Sequence, residues 1–257
     1  THELETALEA QRVAKRLAEE ANATKTRFVA AASHDLLQPL NAARLFASAL
    51  EERAEDETVK TLAARIDSSM RAAEEVLDDM LDIARLESGA MRTEIADFDL
   101  AEMFEGLERQ FAPLAQRRGL RLRVTHPPCR VRSDRVLLRR VLQNLISNAL
   151  RYTQRGGVLV GCRRRGASFD IEVWDSGPGI AEQHQQAIFD EFRRLDRGSP
   201  WGEQGLGLGL SICDRIARLL DLELGLRSAP GRGSVFRVRV PVGEPAPLVP
   251  AGSVPEP

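Results

Sequence analysis

Four stretches of this chain combine side chains and spacing that suit chemistry on a phosphorylated nucleotide. In FVAAASHDLLQPL (Phe28 to Leu40), Ser33 falls on an apolar seam, so His34 turns outward with Asp35 beside it and Gln38 one turn later on the same outer face. The imidazole is largely neutral at pH 7 and keeps a free lone pair, which suits a nucleophile, and a neighbouring carboxylate can fix its tautomer. In NLISNALRYT (Asn144 to Thr153), Asn144, Asn148 and Arg151 recur at helical spacing and can point into one cleft. A carboxamide oxygen is a hard ligand for Mg²⁺ carrying nucleotide phosphates. In DSGPGI (Asp175 to Ile180), the carboxylate can accept from an exocyclic amine while the glycines admit the backbone to a flat base. GLGLGL (Gly205 to Leu210) opens a helix whose first amides can receive phosphate. Singly, each has an ordinary reading: a surface histidine, structural amides, a strand exit, a glycine-rich helix start. Neither a Walker loop nor a Rossmann GxGxxG is satisfied, since Leu210 stands at the third glycine position.

The elements that must hold these groups divide the chain in two. Up to about Leu86 there is no glycine and no proline except Pro39, and Ala, Leu, Glu and Arg abound, which predicts long helices. Val29, Ser33, Leu36, Leu40, Ala43, Ala47 and Leu50 are spaced 4,3,4,3,4,3, as are Leu62, Ile66, Ser69, Ala73, Val76, Met80 and Ile83. The charged stretch from Glu51 to Thr58 between them predicts the turn of a helical hairpin. Stripes widened by Met70, Leu77 and Ala84 offer more apolar surface than one partner helix hides, so two hairpins are expected to associate as a four-helix bundle. Leu4, Ala7, Gln11, Ala14, Ala18 and Ala21 continue a similar spacing upstream, as a parallel coiled coil would.

Gly89 marks the end of the hairpin, and from Phe98 the pattern alternates between helix and strand. Helices are predicted over Leu100 to Arg117, from a Ser133 cap through Tyr152, and over Leu208 to Leu220. Strands are predicted over Leu120 to Thr125, Val158 to Cys162, Phe169 to Trp174, Leu222 to Arg227 and Ser234 to Val240. That order suits a layered α/β sandwich. The tail from Pro241 is proline-dense and reads as an extended linker.

Composition removes several function classes. A charge of -2 over 257 residues leaves no broad basic field for nucleic acid or an anionic membrane. No apolar run reaches the ~18 residues that span a bilayer, so this segment is expected to be cytoplasmic and without direct membrane contact, whether or not the intact protein is membrane-anchored. Cys129, Cys162 and Cys213 form no CxxC pair and the histidines no HExxH spacing, so neither disulfide scaffolding nor a zinc site is expected. The chain opens without methionine and is read as a piece of something longer.

In order, and with IFDEFRRL (Ile188 to Leu195) and GRGSVF (Gly231 to Phe236) added, these motifs resemble the H, N, G1, F and G2 boxes of sensor histidine kinases over roughly Thr24 to Val240. The resemblance implies a helical hairpin forming a dimeric four-helix bundle, followed by the α/β sandwich of the gyrase, Hsp90, histidine kinase and MutL ATP-binding type. It implies a signalling coiled-coil helix over 1–23 and a dimerisation and phosphotransfer domain over 24–90. A catalytic ATP-binding domain over 91–241 and a proline-rich linker over 242–257 follow. His34 would be phosphorylated from ATP with Asp35 as its proton acceptor, and the phosphoryl group passed to an aspartate of a response regulator or receiver domain. Gln38, where many relatives carry Thr or Asn, would orient a water for dephosphorylation of the partner. Asp175 would recognise adenine under Gly177 and Gly179, with Tyr152 near the base and Asn148 holding Mg²⁺. Asn144 and Arg151, the latter in place of the common lysine, would touch phosphates. Phe189 and Phe192 would anchor a lid hinged at Gly205, Gly207 and Gly209. Implied partners are a second copy, an upstream sensor and a receiver, which the proline-rich tail would link in a hybrid kinase. Two other readings are weighed. A degenerate kinase acting as a dimeric scaffold would tolerate loss of His34, Asn148 or Asp175, all present here. An ATPase of the gyrase and Hsp90 type has no use for SHDLLQPL on a bundle.

Overall fold

The computed structural model describes Gln11 and residues 36–125, 128–193 and 207–244. His34, Asp35, Gly205, the upstream coiled-coil stretch and the proline-rich tail beyond Glu244 lie outside the described residues. The chain divides into two compact units, Thr1–Arg92 with Gln186–Arg215, and Thr93–Gln185 with Ile216–Pro257.

In the first unit, helix α1 (36–53) turns through three residues into α2 (Glu57–Glu87). The turn falls within the predicted polar stretch, and Asp56 caps the start of α2: its carboxylate accepts from the Thr58 N–H at 2.7 Å. Gly89, in the left-handed region at φ 65°, follows the end of α2. The hairpin buries small residues. Ala47, Ala63 and Ala84 are buried and Met70 and Leu77 half-buried, while Leu36, Leu50, Leu62, Ile66 and Met80 remain 42–53% exposed. Thus on α2 the line Met70, Leu77, Ala84, expected only to widen the stripe, is together with Ala63 the more covered, and part of the expected seam faces outward. Alanine lets the two helix backbones approach, which leaves the larger side chains no room between them. Arg44 fixes the register across the hairpin, 2.6 Å from Glu74 and 3.8 Å from Asp67.

The second unit contains a two-stranded and a five-stranded sheet. Strand β1 (Ile95–Asp99) pairs antiparallel with β3 (Arg130–Asp134). The larger sheet runs β2 (Arg121–Val124), β4 (Gly157–Arg165), β5 (Ser168–Asp175), β7 (Ser234–Pro241), β6 (Glu223–Ser228). Only β2 and β4 are parallel, the connection between them carrying α4 (Arg135–Tyr152). Helices α3 (Leu100–Arg117) and α4 supply the core, with Leu100, Phe104, Leu107, Leu138, Leu142, Leu145 and Leu150 fully covered. Alternate residues of β4, β5 and β7, such as Val158, Val160, Ile171, Val173, Phe236 and Val238, bury the inner sheet face. Helix α5 (Gly209–Leu219), whose residues up to Arg215 fall in the first unit, leads into β6.

Strands β1 and β3 were not expected, and the predicted Ser133 cap is corrected. Ser133 pairs with Ala96 in the β1–β3 ladder, so its backbone is still extended; the next residue, Asp134, is the cap. Among the described residues no helix is long and apolar enough to cross a membrane.

Candidate active site

Helix α4 is amphipathic, and its polar edge carries the asparagines. Leu138, Val141, Leu142, Leu145, Ile146 and Ala149 hold one side in the core, leaving Asn144, Asn148 and Arg151 half-exposed along the flank. Tyr152 ends the helix at 37% exposure. The helix stops at Thr153, fully buried, whose hydroxyl donates to the Ala149 carbonyl at 2.7 Å.

Asp175, the last residue of β5, enters the same place from the sheet. Its Oδ1 accepts from the Gly177 N–H at 2.8 Å. Burial raises its pKa, against the opposing hydrogen bonds from Gly177 and Ser234. Gly177 is what brings strand and helix together: a Cβ there would stand 2.8 Å from Asp175 Oδ1, 3.3 Å from the Tyr152 carbonyl and 3.4 Å from Thr153 Oγ1. Gly179, at φ 68°, passes so close to the chain ahead of Gly231 that a Cβ would meet the Ala229 carbonyl at 1.9 Å. That close approach fastens the turn after Asp175 to the β6–β7 hairpin. Ile180 N–H donates to Ser228 Oγ, the Ser228 and Ser234 hydroxyls meet, and Gly231 N–H donates to the Pro178 carbonyl, all within 2.9 Å.

The arrangement therefore joins Tyr152, Asp175, Gly177 and Gly179 in one unit, with Asn144, Asn148 and Arg151 on the helix that ends there. A buried carboxylate with raised pKa fits a ligand amine that donates to it, since such a bond favours the charged form that burial penalises. Asn148 and Arg151, half-exposed and three residues apart on one helix, offer a carboxamide and a guanidinium that suit a hard cation with its phosphates. No cluster of three His, Cys, Asp or Glu able to hold a metal occurs among the described residues. Thr153, Ser228 and Ser234 were not singled out from sequence as site residues; Thr153 and Ser234 lie inside quoted motifs, but hydroxyls carry no spacing signal of their own.

The remaining expected site residues belong to the other unit. Gln38 lies exposed in the first described turn of α1. Phe189 is half-buried beside the buried Ile188, and Phe192 is exposed with φ 58°. Gly207 has φ 76°, and a Cβ would stand 2.7 Å from the Arg193 carbonyl. Gly209 begins α5. Arg215 of α5 pairs with Glu191 and lies 3.3 Å from Glu87 at the end of α2.

Comparison with known proteins finds two family matches: "His Kinase A (phospho-acceptor) domain" over residues 24–89, and "Histidine kinase-, DNA gyrase B-, and HSP90-like ATPase" over residues 133–244. Similar proteins include the sensor histidine kinase RcsC of Escherichia coli K12, 30% identical over 228 residues, covering 88% of this chain and 24% of RcsC. The sensor-like histidine kinase SenX3 of Mycobacterium tuberculosis H37Rv is 32% identical over 222 residues, 85% of this chain and 54% of SenX3. Among solved structures, full-length ShkA in complex with AMPPNP aligns with a TM-score of 0.70 at 26% identity, over 85% of this chain and 46% of ShkA. The chain thus spans a quarter to about half of these relatives.

Proposed function

This chain belongs to the sensor histidine kinases, and from that premise we propose that it phosphorylates its own His34 from Mg-ATP and hands the phosphoryl group to an aspartate of a response regulator or receiver domain. The phosphoacceptor would occupy the hairpin over 24–90, entered through a coiled coil over 1–23. The ATP-binding domain would occupy 91–241, with 242–257 as linker. A helical hairpin followed by an α/β ATPase fold of this family supports nucleotide binding in the second unit.

The observation that carries the reading is the junction at Gly177, where the buried Asp175 carboxylate meets the end of the helix bearing Asn144, Asn148 and Arg151. Asp175 would accept from the adenine amine, with the Tyr152 ring alongside. Asn144 and Arg151 would bind phosphate oxygens, and Asn148 would hold Mg²⁺, which when bound offsets phosphate charge. Phosphoryl transfer asks chiefly for alignment and charge compensation, both of which these residues would supply. On the hairpin, Asp35 would accept the His34 ring proton, an assistance worth ~100- to 10,000-fold. The exposed Gln38 would orient a water when the partner is dephosphorylated. Phe189 and Phe192 would anchor a lid hinged at the Gly205, Gly207, Gly209 run, which would also cradle phosphate. A second copy would complete the bundle, and a sensor would act through the upstream helix.

Incubation of the whole chain with γ-labelled ATP is expected to give base-stable, acid-labile label that disappears in His34→Gln. Label that survives acid, or that persists in His34→Gln, removes the proposal.

A further inference from the structure

Two cysteines 33 positions apart, with no sequence motif to relate them, meet in the second unit: Cys129 Sγ lies 3.7 Å from Cys162 Sγ. Both are free thiols, Cys129 buried and Cys162 partly exposed. Neither belongs to the nucleotide site described above. Their approach is built by the fold. Thr125, after β2, donates its N–H to the Val160 carbonyl at 3.0 Å and its hydroxyl to the same oxygen at 3.3 Å, fastening the start of the β2–β3 connection to β4. At the far end of that connection the Cys129 carbonyl accepts from Leu100 N–H at 2.9 Å, which holds it to the head of α3. Cys162 sits on β4 opposite Ile171, on the inner face with Val158 and Val160. The sulfurs are about 1.7 Å farther apart than a disulfide bond, a gap that small side-chain adjustments can close.

We infer that Cys129 and Cys162 form a reversible disulfide, a redox modification site of the ATPase fold, with a hydroperoxide as oxidant. The two sulfurs share a hydrogen bond, and that bond holds the Cys129 thiol below the ordinary thiol range, so Cys129 is the first nucleophile. The same bond, burial and the nearby Asp170 and Glu172 keep Cys162 protonated. The Cys129 thiolate attacks one peroxide oxygen and the O–O bond breaks. The departing hydroxide takes a proton to leave as water, and Cys129 becomes a sulfenic acid. Cys162 sulfur then attacks the Cys129 sulfur. The S–O bond breaks, and the hydroxyl leaves with the Cys162 proton as a second water. Two thiols lose two hydrogens and one hydroperoxide is reduced. The resulting loop encloses β3 and all of α4, so oxidation ties down the stretch that carries Asn144, Asn148 and Arg151.

The test treats the whole chain with graded hydrogen peroxide, alkylates it, and reads intact mass and peptides. Alkylatable thiols are expected to fall from three to one, with Cys213 still reactive after unfolding. A peptide cross-link joins Cys129 to Cys162, dithiothreitol reverses it, and the oxidised protein melts at a higher temperature. Cys162→Ser abolishes both the cross-link and the rise in melting temperature, and because Cys162 is partly exposed that variant folds even if Cys129→Ser does not. The inference is overturned by sulfinic or sulfonic acid on a single cysteine, by a cross-link to Cys213 or between copies, or by three reduced thiols at peroxide levels that oxidise free cysteine.

Discussion

Asp175 ends a buried strand as a carboxylate whose pKa burial has raised, and this couples its function to stability. Because the native pKa lies above the unfolded value near ~3.9, the native state holds more protons between the two, so this group's contribution to stability is fully present at low pH and is lost as pH rises through the native pKa. Above the native pKa the nucleotide-free protein bears the burial penalty of the charged carboxylate. Asp175→Asn keeps an oxygen for the Gly177 N–H and removes the charge. Its melting temperature without nucleotide is expected to exceed the wild type's at pH 7, and the difference to vanish near pH 4. Nucleotide affinity should fall by roughly 10- to 100-fold, the worth of a hydrogen bond to a charged acceptor. Thermal melts from pH 4 to 8 and titration with a fluorescent nucleotide measure both; an Asp175→Asn protein less stable than the wild type at pH 7 contradicts the argument. Asp175, Gly177 and Asn148 can be singled out from sequence because they sit in motifs at fixed offsets. The Cys129–Cys162 pair cannot, since its contact depends on how the β2–β3 connection lies against β4.

Among the elements, α4 depends on how it starts. Asp134 accepts from the N–H groups of Val136, Leu137 and Glu94 at 2.9, 3.0 and 2.8 Å, so one buried carboxylate caps the helix and anchors the chain entering β1. Asp134→Ala leaves all three donors without that acceptor and is expected to cost about 2 kcal/mol or somewhat more, read from the denaturation midpoint at unchanged m-value. Asp134→Asn, which keeps one acceptor oxygen, should lose less; equal losses would mean the cap is not the cause. The same junction shows where sequence reading stopped. Helix α3 was legible to its last residue because Leu100, Phe104, Leu107 and Phe111 keep a helical period between Asp99 and Gly119. Strands β1 and β3 offer one large buried apolar residue each, Phe98 and Val131, too few to show a period of two. With β3 unseen, Ser133 was the nearer cap, although it lies in the ladder with Ala96.

At the scale of the molecule, the hairpin is built inside out for a solitary pair of helices. Alanines occupy its interior at positions 47, 63 and 84, while Leu62 and Ile66 stay 53% and 45% exposed and Leu36, Leu50 and Met80 are similarly open. Large apolar side chains gain on the order of 1.5 to 3 kcal/mol each from full burial, so a surface carrying five of them favours a cover of the same composition. A second hairpin presents that composition by symmetry. The register need not change on pairing, because Arg44 already bridges α1 to Glu74 and Asp67, with Arg71 2.7 Å from Asp67. Glutamates at Leu62 and Ile66 would place four carboxylates in the interface of a dimer but only two solvated ones on a monomer. The Leu62→Glu, Ile66→Glu chain is therefore expected to sediment as a monomer at micromolar concentrations where the unaltered chain is expected to sediment as a dimer. Its nucleotide affinity should stay within about twofold, since Asp175, Asn148 and Gly177 belong to a separate compact unit. A doubly substituted protein that still sediments as a dimer would mean that this face is not what joins the copies. Loss of nucleotide binding along with the dimer would mean instead that the second unit does not hold its pocket alone.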